Sequence, residues 1–355
     1  MKVCVLGTRG FPQVQGGVEK HCECLYTAVQ DDQVEFIVFR RKPYVQTTPH
    51  YKNIRFIDLP STKIKGFEAF LHSFLATMYA LFIHPDVVHT HNIGPSMFTP
   101  ILRLFGIKVV MTYHSANYEH KKWGFMAKKI LLLSEKIAYH TSNKIIFVNK
   151  FQMEKVPTQY RQKCVYVPNG VLRSERVEQT DYLKSLNIQP GKYILSVGRI
   201  TPEKGFDLLI RAFEKVDTDY KLVIAGGVET EGGYFEELNK LISTGRVVFT
   251  GYVFGDKLKQ LYSHAGFYVL SSRNEGFPLV LLEAMSYHLN VLVSDIPATH
   301  LVTLDAADYY PTTDVEQLAA KLRQKLTESS NRTYNLVEFD WNKIAERTVD
   351  VYNSL

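Results

Sequence analysis

An alternation of strand-length apolar runs with helix-length segments constrains this chain more than any other feature. The runs are KVCVL (2–6), VEFIVF (34–39), DVVH (86–89), KVVMT (108–112), KIIFV (144–148) and CVYV (164–167). After a polar stretch they resume as YILSV (193–197), KLVIA (221–225), RVVFT (246–250), FYVLS (267–271) and NVLVS (290–294). Continuously apolar strands are buried on both faces, and helical crossovers between them make the sheet parallel. One crossover shows the helical period directly: Phe206, Leu209, Ile210 and Phe213 stand at i, i+3, i+4 and i+7, giving one buried face.

At 355 residues the chain is long enough for about two domains, and the strand pattern restarts after LRSERVEQTD (172–181). The fold class expected is α/β, with two Rossmann-like, doubly wound parallel-sheet domains facing a cleft. Residues 1–170 form the first, to which the amphipathic C-terminal segment 340–355 is expected to return; 171–339 form the second. In such sheets ligands sit beyond the carboxyl ends of the strands, so the chemistry belongs in loops that follow strands.

The composition, 45% apolar and 22% charged, is that of an ordinary globular protein. The first apolar run is short and followed by a Gly-rich turn, unlike a secretory signal. The most lipid-like window, residues 66–83, contains Glu68 and His72; it barely reaches the ~18 residues a span requires and is not expected to cross a bilayer. Cys4, Cys22, Cys24 and Cys164 form no CxxC pair and read as reduced thiols of a cytoplasmic protein. The net charge of +6 is unevenly placed: in residues 1–172 Lys and Arg outnumber Asp and Glu two to one, while the remainder is mildly acidic. A basic half suits an anionic surface or substrate; no nucleic acid is expected as partner.

The densest signal is NEGFPLVLLEAM (274–285). Glu275 follows a strand, Pro278 suits a helix start, and the amides around Gly276, Phe277 and Leu279 would face outward from a positive helix end that favours phosphate. Glu275 could accept hydrogen bonds from sugar hydroxyls and Glu283 from a ribose; capping and core-edge roles are the competing account. In VGRITPEKGFD (197–207), Arg199 and Lys204 bracket a second loop and suit a diphosphate, unless they merely pair with Glu203 and Asp207. Gly16 and Gly17 open the first helix in a turn able to cradle an anion, but it is not the dinucleotide G-x-G-x-x-G. His89-Thr-His91 invites zinc, yet no third ligand is obvious; His114 follows a strand and could donate to a sugar. Asp217-Thr-Asp219 looks like a metal motif but precedes a strand, away from the ligand edge.

Taken in order, GG (16–17), TYH (112–114), PNGV (168–171), VGR…EKG (197–205), VxFxGYV (247–253) and EGFPxVLLEAM (275–285) resemble the retaining family 4 glycosyltransferases of GT-B architecture. The tract 114–129 is similar to enzymes that build bacterial surface polysaccharides. The resemblance covers nearly the whole chain. It implies transfer of a hexosyl or deoxyhexosyl group from a nucleotide-diphosphate sugar to a saccharide or polyprenyl-diphosphate-linked acceptor, without a metal cofactor. It places Glu275 and His114 at the donor sugar, with Glu275 and His114 catalytic. Arg199, Lys204 and residues 276–279 would hold the diphosphate, Glu283 the ribose, Gly251, Tyr252 and Val253 the base, and Gly16 and Gly17 the donor from the other domain. His288, Asn290, Leu172 and His300 depart from the family's usual residues, leaving base and sugar open. A sugar-nucleotide epimerase of the same architecture is the alternative. Finally, Lys121, Lys122, Lys128 and Lys129 alternate with Trp123, Phe125, Met126 and Ile130, a pattern that suits a helix lying on an anionic membrane surface. The enzyme is therefore expected at the inner face of the plasma membrane.

Overall fold

The computed structural model describes every residue except 63, 65, 117, 119–123, 229–232 and 329–330. The chain divides into two compact units, Met1–Gly170 with Glu338–Leu355, and Val171–Val337.

The first unit runs β1 (Lys2–Leu6), α1 (Gly17–Ala28), β2 (Glu35–Arg41), β3 (Ile54–Leu59), α2 (Phe67–Ile83), β4 (Val87–His91), α3 (Thr99–Leu104), β5 (Lys108–Tyr113), α4 (Phe125–Thr141), β6 (Lys144–Phe147), α5 (Lys150–Glu154) and β7 (Cys164–Tyr166). The second runs α6 (Asp181–Ser185), β8 (Tyr193–Val197), α7 (Phe206–Glu214), β9 (Lys221–Ala225), α8 (Tyr234–Lys240), β10 (Val247–Phe249), α9 (Asp256–Ser263), β11 (Phe267–Leu270), α10 (Leu279–Ser286), β12 (Val291–Ser294), β13 (Tyr309–Tyr310) and α11 (Val315–Leu326). The final helix, α12 (Trp341–Asn353), belongs to the first unit.

Both sheets are parallel, ordered β3-β2-β1-β4-β5-β6-β7 and β10-β9-β8-β11-β12-β13. These are the two Rossmann-like sheets expected from the alternation. In the first sheet Cys4, Leu6, Ile37, Phe39, Val88 and Val109 pack on Ala76 and Ala80 of α2. In the second, the apolar stripe of α7 and Leu318 and Leu322 of α11 cover Ile194, Leu222, Val269 and Leu292. Two strands escape sequence reading. β3 carries Arg55 and Asp58 on an edge, so it lacks a continuous apolar run; β13 is only a two-residue edge strand.

Each sheet reverses its winding direction once, between β1 and β4 and between β8 and β11. The loops leaving such neighbouring strands part to opposite sides and open a crevice at their carboxyl ends. Within the second unit that crevice lies among the loops 198–205 and 271–278. Within the first it lies beside the start of α1, the end of β4 and the residues after β5. Among the described residues, no helix is long and apolar enough to cross a membrane.

Candidate functional site

In the second unit, β8 and β11 pair side by side, so the loops following them meet. Lys204 closes a short 3-10 turn after β8 and forms an ion pair with Glu275, which follows β11. Both side chains are largely withdrawn from solvent, 17% and 12% exposed, so the pair is screened less than a surface one. Ser272 donates to the same Glu275 oxygen at 2.6 Å, and Ser271 donates to the Lys204 carbonyl at 2.8 Å. Gly205 adopts φ +66°, and a Cβ there would collide with the Ser271 carbonyl oxygen; only glycine lets the two loops approach this closely.

A second tie fixes the loops. Arg273 forks onto both carboxylate oxygens of Asp207 at 2.8 and 2.6 Å and also donates to the Pro202 carbonyl. Burial pushes the Asp207 carboxyl up, but hydrogen bonds from Arg273 and Tyr234 outweigh it and hold the group below its ordinary value. Lys204 therefore pairs with Glu275, not with the Asp207 near it in sequence. Arg199 stands half-buried two residues beyond β8.

Pro278 sits at the N-cap of α10, one position before the first turn, in extended conformation, and no side chain caps the helix start. Phe277 is buried while Gly276 and Leu279 are half-buried. One turn into the helix, Glu283 accepts a hydrogen bond from the buried Tyr262 hydroxyl at 3.0 Å, and Tyr262 stacks on Tyr287 with ring centroids 5.2 Å apart. Burial, with Glu283 adding to it, keeps the Tyr262 hydroxyl protonated and thus a donor. Gly251 has φ +69° and its carbonyl accepts from the Gly226 amide at 2.9 Å. Val253 is buried beside it and Tyr252 is 42% exposed.

In the first unit the structure assembles what the sequence shows only as scattered histidines. His21 of α1, His89 and His91 of β4, and His114 after β5 are all buried. His91 Nδ1 lies 3.0 Å from His114 Nε2, and His91 Nε2 lies 2.6 Å from the Tyr26 hydroxyl. His89 Nδ1 meets Tyr26 and Tyr352 hydroxyls at 3.0 and 2.6 Å, and its Nε2 meets Thr112 Oγ1 at 2.7 Å. His21 Nδ1 meets Asn169 Oδ1 at 2.8 Å. Burial keeps these rings neutral: it lowers His21 to about 4 and His89 to about 3, and His91 and His114 well below the ordinary value, with neighbouring histidines contributing. Gly16 is the N-cap of α1, and a Cβ on it would strike the Glu19 carboxylate, whereas the space beside Gly17 is open. Glu19, buried, also accepts from the Arg9 amide at 3.1 Å.

Two family models match this chain. Residues 15–174 match Glycosyltransferase Family 4, and residues 178–337 match Glycosyl transferases group 1. The chain belongs to the GT-B glycosyltransferases. An uncharacterized glycosyltransferase of Methanocaldococcus jannaschii is 26% identical over 99% of this chain and 98% of its own. The O-antigen chain mannosyltransferase B of Escherichia coli is 27% identical over 46% of each. Among solved structures, the sucrose-phosphate synthase of Thermosynechococcus elongatus has TM-score 0.80 at 20% identity over 99% of this chain and 98% of that one. HepE of Anabaena, solved with UDP-glucose, has TM-score 0.78 at 16% identity over both whole chains. The epimerase alternative is not favoured, because both matching models are those of transferases.

Several residues of this glycosyltransferase's two candidate clusters escaped sequence reading. Ser272, Arg273 and Tyr262 in the second unit hold the acidic groups in place, and His21, Tyr26, Asn169 and Tyr352 enclose the histidines in the first. Asn169 alone carried a signal, lying in PNGV. Asp219 of the D-T-D motif pairs with Lys192 at 2.9 Å just before β9, on the sheet edge opposite the loops.

Proposed function

We propose that this glycosyltransferase moves a hexosyl or deoxyhexosyl group, with retention of anomeric configuration, from a nucleoside-diphosphate sugar to a saccharide acceptor. The acceptor is carried on a polyprenyl diphosphate at the cytoplasmic face of the plasma membrane, and the product is a surface polysaccharide. The Lys204–Glu275 pair, held by Ser272 where two loops meet at the switch point of the second sheet, is the observation that carries this reading. A donor diphosphate entering there competes with Glu275 for Lys204. Lys204 and Arg199 then face the phosphates, and Glu275 is left to accept hydrogen bonds from the sugar hydroxyls. Negative charge grows on the leaving diphosphate as the glycosidic bond breaks. Two fixed cations and the uncapped start of α10 stabilise that charge more in the transition state than in the ground state. Glu283, oriented by Tyr262, accepts from the ribose hydroxyls, while Gly251, Tyr252 and Val253 border the base. The family resemblance assigns His114 and Gly17 to the donor from the first unit; His114 offers Nδ1, since Nε2 is turned to His91. With the diphosphate neutralised by Arg199 and Lys204, transfer needs no added divalent metal.

The UDP-glucose bound by HepE of Anabaena and the O-antigen activity named for the E. coli relative support the donor class and the polysaccharide product. A membrane-borne acceptor is supported by the first unit's surface. Phe67, Phe70, Phe74 and Phe82 of α2, Leu104 of α3 and Phe125 of α4 are all exposed large hydrophobics on helices that pack consecutively, beside Lys128 and Lys129. Large apolar side chains exposed on neighbouring helices suit an interaction surface, and nearby lysines suit an anionic leaflet.

Screening nucleoside-diphosphate sugars for thermal stabilisation, then analysing the product formed with a lipid-diphosphate saccharide by NMR, tests the reading. Retained anomeric configuration is expected. An inverted linkage would overturn the stereochemistry, and an epimerised nucleotide sugar with no transfer would overturn the reaction class.

A further inference from the structure

We propose that His21, His91 and His114 form a zinc site inside the first unit. One ring nitrogen from each lies within 4.8 Å of the other two, and all three rings are buried. The three come from α1, the end of β4 and the residue after β5, segments that meet only because β1, β4 and β5 are adjacent in the sheet.

Hydrogen bonding prepares the nitrogens to ligate. The Asn169 amide oxygen only accepts, so His21 carries its proton on Nδ1 and its lone pair on Nε2. Among the described residues that Nε2 is buried with no hydrogen-bond partner, an arrangement costly to maintain without a ligand. Between His91 Nδ1 and His114 Nε2 there is a single proton. Zinc displaces it to the outer nitrogen of the ring that holds it: for His91 this is Nε2, where the Tyr26 hydroxyl oxygen accepts at 2.6 Å. Tyr26 in turn donates to His89 Nδ1 at 3.0 Å. No net proton is released, and three neutral imidazoles remain. Asn169 and Tyr26 thus act as the outer partners that orient ligating histidines.

The donor set selects the ion. Three imidazoles with no carboxylate suit zinc and exclude calcium and magnesium, which require oxygen ligands. Zinc accepts four ligands, which leaves one position for water. The indole of Trp341, 5.5 Å from the His21 ring, and α12 shield the site. This zinc would bind α1 to the sheet; through His114 it would also adjoin the donor, holding Nε2 and leaving Nδ1 for the sugar. It also explains why H-x-H looked incomplete: only His91 of that pair ligates, and the missing partners lie 70 positions before it and 23 after.

Metal-free full-length protein, prepared by chelation and dialysis, is titrated with zinc chloride alone, without nucleotide or acceptor, by calorimetry and thermal melting. The wild type is expected to take up stoichiometric zinc and melt higher with it. His21→Gln and His91→Gln should each lose that uptake, while His50→Gln, at an exposed position, should keep it. Asn169→Ala keeps all three ligands and should weaken zinc by about 10- to 100-fold, with a far-UV spectrum matching the wild type to exclude misfolding. Absence of zinc uptake by the wild type, or equal uptake by His21→Gln and Asn169→Ala, would overturn the site. Because no donor is present, either result is independent of the transfer reaction.

Discussion

Glu275 is a carboxylate whose surroundings already contain its counter-charge. Substituting Gln removes the charge and keeps the shape, so it also releases Lys204. Glu275→Gln should therefore lower kcat by about 100-fold or more, while nucleoside-diphosphate affinity stays within a few-fold or improves. Calorimetry with the nucleoside diphosphate alone separates the outcomes: a parallel loss of binding would make Glu275 a support of its loop instead. His72 illustrates a different consequence of burial. It is fully buried on α2, and burial together with the Arg41 charge lowers it from 6.5 to about 3. The unfolded chain protonates it near 6.5, the folded chain only near 3, so stability is complete above 6.5 and falls as pH drops between those values. Each such histidine contributes about 1.4 kcal/mol per pH unit in that window. His72→Gln should flatten the acid side of a melting-temperature profile between pH 6 and 4; an unchanged slope would show that His72 does not titrate there.

At the scale of elements, α10 and α4 put their apolar residues to different uses. α10 is apolar almost all round, with Leu281, Leu282, Ala284 and Met285 buried, so its Glu283 must be held, and Tyr262 holds it. α4 buries only Ser134, Ala138 and Tyr139 and leaves Phe125, Met126, Ile130 and Leu133 exposed, with the Lys129 ammonium 4.3 Å from the Phe125 ring centroid. A helix that hides so little of its apolar surface suits a boundary between lipid and water. Salt-sensitive binding is expected to vesicles containing phosphatidylglycerol, and none to neutral vesicles. Changing Lys121, Lys122, Lys128 and Lys129 to Gln should release the protein; Lys121, Lys122 and Trp123 lie outside the described residues. Undiminished binding by that variant would transfer the anchor to the phenylalanines of α2. α12 shows that a terminal helix can complete a remote site. Its Trp341 lies so near Gly170 that a Cβ there would come within 2.6 Å of the indole, and its Tyr352 reaches His89.

For the whole molecule, each unit carries its own crevice residues at the one place where its sheet reverses direction. Donor contacts assigned to the second unit imply a localised response. A nucleoside diphosphate at 100 times its Kd should stabilise the protein by about 2.7 kcal/mol. Hydrogen–deuterium exchange should slow chiefly in residues 198–205 and 271–283. Protection confined to the first unit would refute the assignment of the diphosphate to Arg199 and Lys204. Local pattern determined much of this protein. Continuous apolar runs separated by helical periods specify parallel sheets, because strands buried on both faces have no other way to be covered. A strand-loop-helix segment such as 267–286 sets Glu275 and Glu283 on one loop and helix by itself. Of the four edge strands, β7 and β10 kept their apolar runs, while β3, which places Arg55 and Asp58 toward water, and the two-residue β13 remained illegible. Tertiary structure alone decided which groups meet. Lys204 and Glu275 are 71 positions apart, and His21 and Asn169 are 148 apart. Such encounters depend on which strands become neighbours. Strand order is settled by the packing of whole layers, and no local stretch of sequence records it.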